Sequence, residues 1–520
     1  MSETSAHCSP DDRGPRFVIA VAAVLFLLEW IPTFFGPYGY FIDELYYLAC
    51  AARPAWGYVD HPPLSIGVLT INRALLGGSL PALRLVPALA GVATVVLSGA
   101  LARRLGAGAF GQALTALAVA LAPIPLIMFG VYSMNAFELL LWTAMLFVLV
   151  VMLERNEPRL WLLFGLLAGL GLMNKHTTVL LGGAVAIGVV LSPARRHLAT
   201  RWPWLGGALA GLILAPNLLW QQAYGWPSLE FYRNADLYKN VPTPPLEALV
   251  QQILFYNPGA FPLTVAGLAF LLITRRGRRY RAVGWTCAAL LLLMVFSNKS
   301  RPDRIAAIYP TLFAAGAVGI EMLARRARLG WIKPASVALI LVGGVAFLPL
   351  AVPLLPPEVA GRYAAATGVV PQIERGEGKA SQLPQWLADR FGWEEFVADV
   401  EAVARDLSPE QRSHAVIVVP SYGHAGALEL LGSADLPPVM STQNTYYLWG
   451  VELLEQRRVA GGIVVDFDAD GLREIYSQVT FAGLHRCTYC MPWRAELPIY
   501  RVADPRVPLA ELWPRLKHYE

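Results

Sequence analysis

The chain has 520 residues, of which 56% are hydrophobic and only 15% charged, with a formal net charge of +5. That is too apolar for an ordinary soluble domain. The small charge and the lack of a basic patch interleaved with aromatics argue against a nucleic-acid partner. Five cysteines do not make a disulfide framework.

The first apolar run starts at Phe17, after a polar segment that holds Arg13 and Arg16. It lacks a small-residue cleavage site, so it is expected to remain as a membrane helix and not to be removed as a signal peptide. Further runs of about 15–25 residues follow, the length needed to cross a hydrocarbon core of about 30 Å. About eleven spans are predicted by that rule. They begin near Phe17, Leu85, Gln112, Asn135, Leu160, Thr177, Pro203, Val250, Ala282, Ile305 and Pro334. The runs stop near residue 356, which predicts a membrane region over 1–355 and a small α/β domain over 356–520.

Loop charge sets the expected orientation. Arg103-Arg104, Arg155 with Arg159, Arg195-Arg196 with Arg201, the arginines of 275–281, and Arg325-Arg326 with Arg328 and Lys333 fall in alternate loops. The positive-inside rule places these loops and the amino terminus in the cytoplasm. Residues 160–191 have basic flanks at both ends, which predicts a tight helical hairpin with Lys175 at its outer tip. The C-terminal domain is then extracytoplasmic. Within the first outer loop, Leu64, Val68, Ile71 and Leu75 recur at helical spacing, as in a helix lying in the membrane interface.

In the tail, Ala415–Val419 and Gly462–Val465 read as buried strands and Gly423–Leu431 as a helix. Cys487-Thr488-Tyr489-Cys490 is a single CxxC pair. It is open to a local disulfide, free thiols or half of a metal site, which would need two more ligands. No closed ligand set is visible elsewhere, which leaves a divalent metal open as a cofactor.

Three outer segments carry groups capable of chemistry. Asp43-Glu44 stands in Tyr40-Phe41-Ile42-Asp43-Glu44-Leu45-Tyr46-Tyr47. Two acids beside such a stretch at a membrane surface are costly unless solvated or paired. The plainest reading is a helix start, with Asp43 as N-cap and Glu44 in the first turn. A catalytic role is compatible with it, because a capping position also fixes a carboxylate. Adjacent helical residues point apart, so one base with a supporting acid fits better than the facing carboxylates of a glycosidase. Asp60-His61-Pro62-Pro63 follows, where the prolines hold the acid and the imidazole in fixed directions. The third segment is Asn298-Lys299-Ser300-Arg301-Pro302-Asp303-Arg304. Its three cations read either as snorkelling anchors or, with Lys175, as an anion site suited to phosphate.

These motifs resemble a known family. Residues 36–91 resemble the first loop of GT-C class glycosyltransferases that use polyprenyl-phosphate sugars, close to bacterial relatives of protein O-mannosyltransferases and to the lipid A aminoarabinose transferases. The carrying features are Asp43-Glu44, Tyr58-Val59-Asp60-His61-Pro62-Pro63-Leu64 and Leu83-Arg84-Leu85-Val86-Pro87. Met134-Asn135-Ala136-Phe137-Glu138, Gly171-Leu172-Met173-Asn174-Lys175 and Ile308-Tyr309-Pro310 extend it. In the tail it continues through Ser421-Tyr422-Gly423-His424-Ala425-Gly426 and Asn444-Thr445-Tyr446-Tyr447-Leu448-Trp449-Gly450.

The resemblance implies a polytopic α-helical GT-C fold with interfacial helices in the first loop. It also implies an inverting transfer of sugar from a polyprenyl-phosphate donor, usually undecaprenyl in bacteria, to an acceptor lipid, glycan or protein. The family's catalytic aspartate maps to Asp43, with Glu44 beside it. Donor phosphate contacts are expected from His61, Lys175, Lys299, Arg301 and Arg304, where His61 replaces a family lysine. Substrate contacts are expected from Tyr58, Asp60, Asn135 and Glu138, where Asn135 replaces a second family acid. The expected location is a bacterial cytoplasmic (inner) membrane, among its lipids. Two other classes fit the span pattern: a transporter or flippase for polyprenyl-linked lipid, and a membrane-anchored glycan-binding protein. A transporter should show acids or interrupted helices near the membrane midplane in matching halves, and Glu29, Glu138 and several prolines show no such symmetry.

Overall fold

The computed structural model describes residues 13–297, 301–326, 328–368 and 381–520. Seven described helices are long and apolar enough to cross a membrane: Arg13–Phe34, Leu80–Leu105, Met134–Arg155, Trp202–Ala223, Gly277–Phe296, Pro302–Ala324 and Ile332–Ala351. Three more segments qualify only as bent pairs. These are Ala109–Ala120 with Pro123–Phe129 at 65°, Thr178–Val190 with Pro193–Ala199 at 106°, and Pro245–Leu254 with Pro258–Leu272 at 95°. The total is ten at most among the described residues, one fewer than predicted. The difference is Leu160–Asn174, which is helical but has only 15 residues. At 1.5 Å per residue it is about 22 Å long, short of the hydrocarbon core.

Residues 160–191 do form the predicted hairpin. Arg196 Nη2, beyond the second helix, donates to Asn156 Oδ1, before the first, at 2.7 Å. Trp161 Nε1 donates to His197 Nδ1 at 3.3 Å. The start of the first helix and the end of the second therefore meet, and Lys175 lies at the turn at the opposite end of the hairpin.

Broken helices free backbone groups that lipid cannot satisfy, so side chains must do it. Asn257, held at φ +72°, donates Nδ2 to the Leu121 carbonyl at 3.3 Å and the Ile340 carbonyl at 2.9 Å. Its Oδ1 accepts the Gly259 N–H at 3.0 Å. The Ile124 N–H reaches the Phe255 carbonyl at 3.1 Å. The breaks near 121 and 256 thus supply each other's missing partners.

The chain divides into two compact units. The first holds residues up to Phe35, Pro81–Pro216 and Pro242–Leu354; the second holds Gly36–Leu80, Asn217–Val241 and Leu355–Glu520. The first loop therefore folds together with the C-terminal domain. In this second unit the Ile42–Ala52 helix is buried from Glu44 to Ala51. The Leu64–Leu76 helix turns Ile66, Leu69 and Asn72 inward. Its opposite face carries Ile71 and Leu75, exposed at 63% and 76%. That outward apolar face is the one predicted to lie in the membrane interface.

The tail sheet has five strands: β1 (Ala415–Val419), β2 (Val439–Ser441), β3 (Gly461–Val465), β4 (Tyr476–Arg486) and β5 (Glu496–Pro505). Their order is β2-β1-β3-β5-β4. The first three are parallel, with Ile417 opposite both Val439 and Ile463. β5 runs antiparallel to β3 and β4. β1 and β3 are buried along their whole length, as continuous apolar runs require. Cys487 and Cys490 form a disulfide between β4 and β5. It packs on Gly392, at φ +84°, where an added Cβ would come within 2.7 Å of both sulfurs.

Candidate active site

The Ile42–Ala52 helix starts two residues earlier than the cap reading requires. Phe41 is its N-cap and Asp43 is the second helical residue. Glu44 Oε2 accepts the Phe41 N–H at 2.8 Å, so the buried Glu44 closes the first turn. Asp43 is only half-buried, and its Oδ1 accepts the Tyr422 hydroxyl at 2.9 Å. The two acids thus have different jobs. Glu44 is engaged by the backbone of its own helix, and Asp43 by a side chain from the tail.

Asp60 is held in a similar way. Tyr46 Oη lies 2.7 Å from Asp60 Oδ1 and 2.6 Å from Thr445 Oγ1. Thr445 Oγ1 in turn accepts the Val59 N–H at 3.0 Å. A phenol has one proton and a carboxylate is the strongest acceptor present. The chain of bonds therefore runs from Val59 through Thr445 and Tyr46 to Asp60. Burial, then the Asp60 and Cys50 charges, push the Tyr46 phenol well above the ordinary tyrosine range. It remains a neutral donor.

His61 is fully buried among tyrosine rings. The centroids of Tyr47, Tyr58 and Tyr46 lie 4.7, 4.9 and 5.7 Å from its own. Its Nδ1 is 3.0 Å from the Pro62 carbonyl, which can only accept, so Nδ1 carries a proton. Nε2 has no hydrogen-bond partner among the described residues. Tyr58 is also buried, and its hydroxyl oxygen accepts the Ala55 N–H at 3.1 Å and lies 3.2 Å from the Cys50 carbonyl.

The remaining predicted residues belong to the first unit. Lys175 Nζ donates to Glu138 Oε2 and Asn135 Oδ1, both at 2.8 Å, and Thr177 Oγ1 also donates to Glu138. Both members of the ion pair are shielded from water, at 13% and 5% exposure. Arg301 makes a two-point contact with Asp303, Nε to Oδ1 at 3.1 Å and Nη2 to Oδ2 at 3.2 Å. Asp303 also feels the charges of Lys175 and Arg304. Asn135, Glu138, Asp303 and Arg304 line one narrow cleft with Met128 and Trp142. Lys299 lies outside the described residues. Among the described residues no group of three or more His, Cys, Asp or Glu is arranged to hold a metal ion.

The sequence suggested Tyr46 only as an aromatic of the headgroup zone and gave no role to Tyr422 or Thr445. Tyr422 and Thr445 both sit in tail motifs with family-like spelling, which was the available signal. That they reach first-loop residues nearly 400 positions away has no local trace (separations of 379 and 399).

The fold is of the GT-C type, the architecture of a class of membrane glycosyltransferases, with the small C-terminal sheet domain described above. Residues 60–220 match the family described as dolichyl-phosphate-mannose-protein mannosyltransferase. ArnT from Cupriavidus metallidurans is similar in structure, with a TM-score of 0.59 and 16% identity over 93% of this chain and 97% of ArnT, both in the apo state and bound to undecaprenyl phosphate. The Archaeoglobus fulgidus oligosaccharyltransferase AglB, in complex with an inhibitory peptide and a dolichol-phosphate, matches at TM-score 0.52 and 12% identity, covering 86% of this chain and 69% of AglB. Mycobacterial arabinofuranosyltransferase AftD matches at TM-score 0.51 and 17% identity, covering 94% of this chain and 40% of AftD. No curated protein matches the chain by sequence.

Proposed function

We propose that this protein is an inverting glycosyltransferase that moves a sugar from a polyprenyl-phosphate donor to an acceptor lipid, glycan or protein. The observation that carries the reading is the likeness to ArnT over nearly the whole chain, one form of which holds undecaprenyl phosphate. The match of residues 60–220 to a family named for a dolichyl-phosphate donor supports the same donor class.

In this reading the acceptor hydroxyl oxygen attacks the anomeric carbon. A new C–O bond forms as the bond to the phosphate oxygen breaks, and the polyprenyl phosphate leaves. Asp43 takes the acceptor's proton. The Tyr422 hydroxyl that donates to it is a neutral phenol, which orients the carboxylate without itself cancelling its charge. Arg301, Arg304 and Lys175 balance the charge on the departing phosphate. Asn135 and Glu138 set the position of Lys175. The Cys487–Cys490 disulfide supports an extracytoplasmic tail, because such bonds persist in oxidising compartments. That agrees with the orientation expected from loop charge, at the outer face of a bacterial inner membrane.

The test is transfer from a panel of undecaprenyl-phosphate-linked sugars by the purified full chain. Asp43→Asn should lower turnover by about 10²–10⁴-fold while undecaprenyl phosphate still binds. Unchanged turnover would remove Asp43 from the role of base. A transporter would bind the lipid and yield no glycosylated product with any member of the panel.

A further inference from the structure

The tail's contribution to Asp43 comes from one short helix, Tyr422–Leu431. It packs directly on the Ile42–Ala52 helix through two glycines. A Cβ on Gly423 would come within 2.3 Å of Ile42 Cγ1, and one on Gly426 within 2.7 Å of the Leu45 carbonyl group. Only residues without a side chain allow this approach. The start of the helix is also pinned. Ser421 caps it by accepting the His424 N–H, and the Tyr422 N–H is tied to Gln443 Oε1 at 3.1 Å. With its backbone fixed at both points, the Tyr422 ring lies against Tyr46 at a centroid distance of 4.7 Å. Its hydroxyl then reaches Asp43 Oδ1.

From this geometry we propose that Tyr422 is the positioning residue for Asp43, delivered by the close docking of the Tyr422–Leu431 helix on the Ile42–Ala52 helix. The proposal builds on the reading of Asp43 as base and adds a component from the C-terminal domain. In this role Tyr422 acts through Asp43 and not on the donor or acceptor. It fixes one carboxylate oxygen, and so the direction of the other, and its hydrogen bond favours the charged form of the acid. Tyr46 supports it from behind through the ring contact, while the Tyr46 hydroxyl serves Asp60. The sequence Ser421-Tyr422-Gly423-His424-Ala425-Gly426 thereby acquires a mechanical meaning. The serine caps, the glycines permit contact, and the tyrosine is what the contact presents.

The experiment reads the protonation of Asp43 directly. Dicyclohexylcarbodiimide adds to protonated carboxyl groups, and the acylurea adduct on the peptide containing Asp43 is followed by mass spectrometry against pH. In Tyr422→Phe the midpoint of labelling should rise by about one pH unit, because the donor to the charged form is gone while the ring remains. A monofluorinated tyrosine at the same position, a stronger donor of equal shape, should move the midpoint the other way. Gly426→Val keeps the tyrosine but forces the helices apart, and should reproduce the upward shift. A purely structural tyrosine would lower the melting temperature and leave the midpoint in place. An unmoved midpoint in both Tyr422 variants overturns the proposal. The outcome is separate from the transfer assay: turnover by Asp43→Asn would sink the base assignment, yet leave the labelling shift to be read on its own.

Discussion

The acids of the second unit and the cations of the first are held in opposite ways. Asp43 and Asp60 take hydrogen bonds from phenols, which are neutral donors. Lys175 and Arg301 are paired with carboxylates, Glu138 and Asp303. A carboxylate held by a phenol keeps its negative charge and its ability to accept a proton. A lysine held by a carboxylate has most of its charge cancelled before any ligand arrives. The contrast teaches that the two sets respond to an incoming substrate differently. On the proposed function, a donor phosphate reaching the cation set would have to displace an anionic partner already in place.

Glu138→Gln should break this contrast most sharply. It removes the carboxylate bonded to the shielded Lys175 ammonium and leaves only the more distant Asp303 charge, at a cost of up to about 3–5 kcal/mol, read as a drop in the melting temperature of the solubilised protein. Adding Asn135→Asp should restore most of that loss, because Asn135 Oδ1 already lies 2.8 Å from Nζ. A Glu138→Gln protein that melts like the parent would show that the pair does not neutralise a buried charge.

Tyr46→Phe tests the other side. It removes the donor to Asp60 and the link to Thr445, for a loss of about 1.5–3 kcal/mol. The effect should be smaller than that of Glu138→Gln, since a neutral partner is removed and the remaining charge is half-exposed. A loss as large as that of Glu138→Gln would erase the distinction between the two sets.

The smallest effect concerns pH and lies in the tail. Burial, then Arg494 and His485, hold His424 well below the ordinary histidine value of 6.5. Its Nδ1 lies 2.7 Å from Ser421 Oγ, and Phe396 and Trp393 pack on its ring. The folded state keeps this imidazole neutral, while the unfolded chain takes up a proton below that value. The stability is therefore present above pH 6.5 and is lost as pH falls. The loss should approach about 1.4 kcal/mol per pH unit, followed as melting temperature between neutral and mildly acidic buffer. His424→Gln should flatten the profile.

How much of this the residues declare depends on range. The membrane helices were legible because a span is a local run of apolar residues, and loop arginines reported the Lys175 hairpin through topology. β1 and β3 were legible for the same reason. The β4–β5 hairpin was not, because β4 lies at the sheet edge, mostly uncovered, and shows no clean alternation. Among the candidate residues, Asp43, Lys175 and Arg301 could be picked out as charges in costly places. The partners that define their chemistry could not. Glu138 was visible as a neighbour of Asn135, yet its pairing with Lys175 spans 37 residues. The cap at Phe41 was misplaced by two residues because an aspartate advertises itself as an N-cap and a phenylalanine does not. The burial of His61 was not legible, since nothing in Asp60-His61-Pro62-Pro63 announces three tyrosine rings around it.

The second unit is assembled from segments far apart in the chain, and this sets an order in time. Asp43 and Tyr422 are separated by 379 residues. At a synthesis rate of about 5–20 residues per second, the first loop waits roughly 20–75 seconds for the helix that completes it. Throughout that interval the Ile42–Ala52 helix has its first-loop neighbours but lacks the Tyr422–Leu431 helix that packs on it, and Asp43 lacks the Tyr422 phenol. A nascent chain therefore holds its acidic group in an unfinished state until the last third of the polypeptide has been translated and delivered to the same side of the membrane. Premature termination between Ala351 and Tyr422 would leave a protein with its membrane helices in place and its candidate base without the Tyr422 phenol.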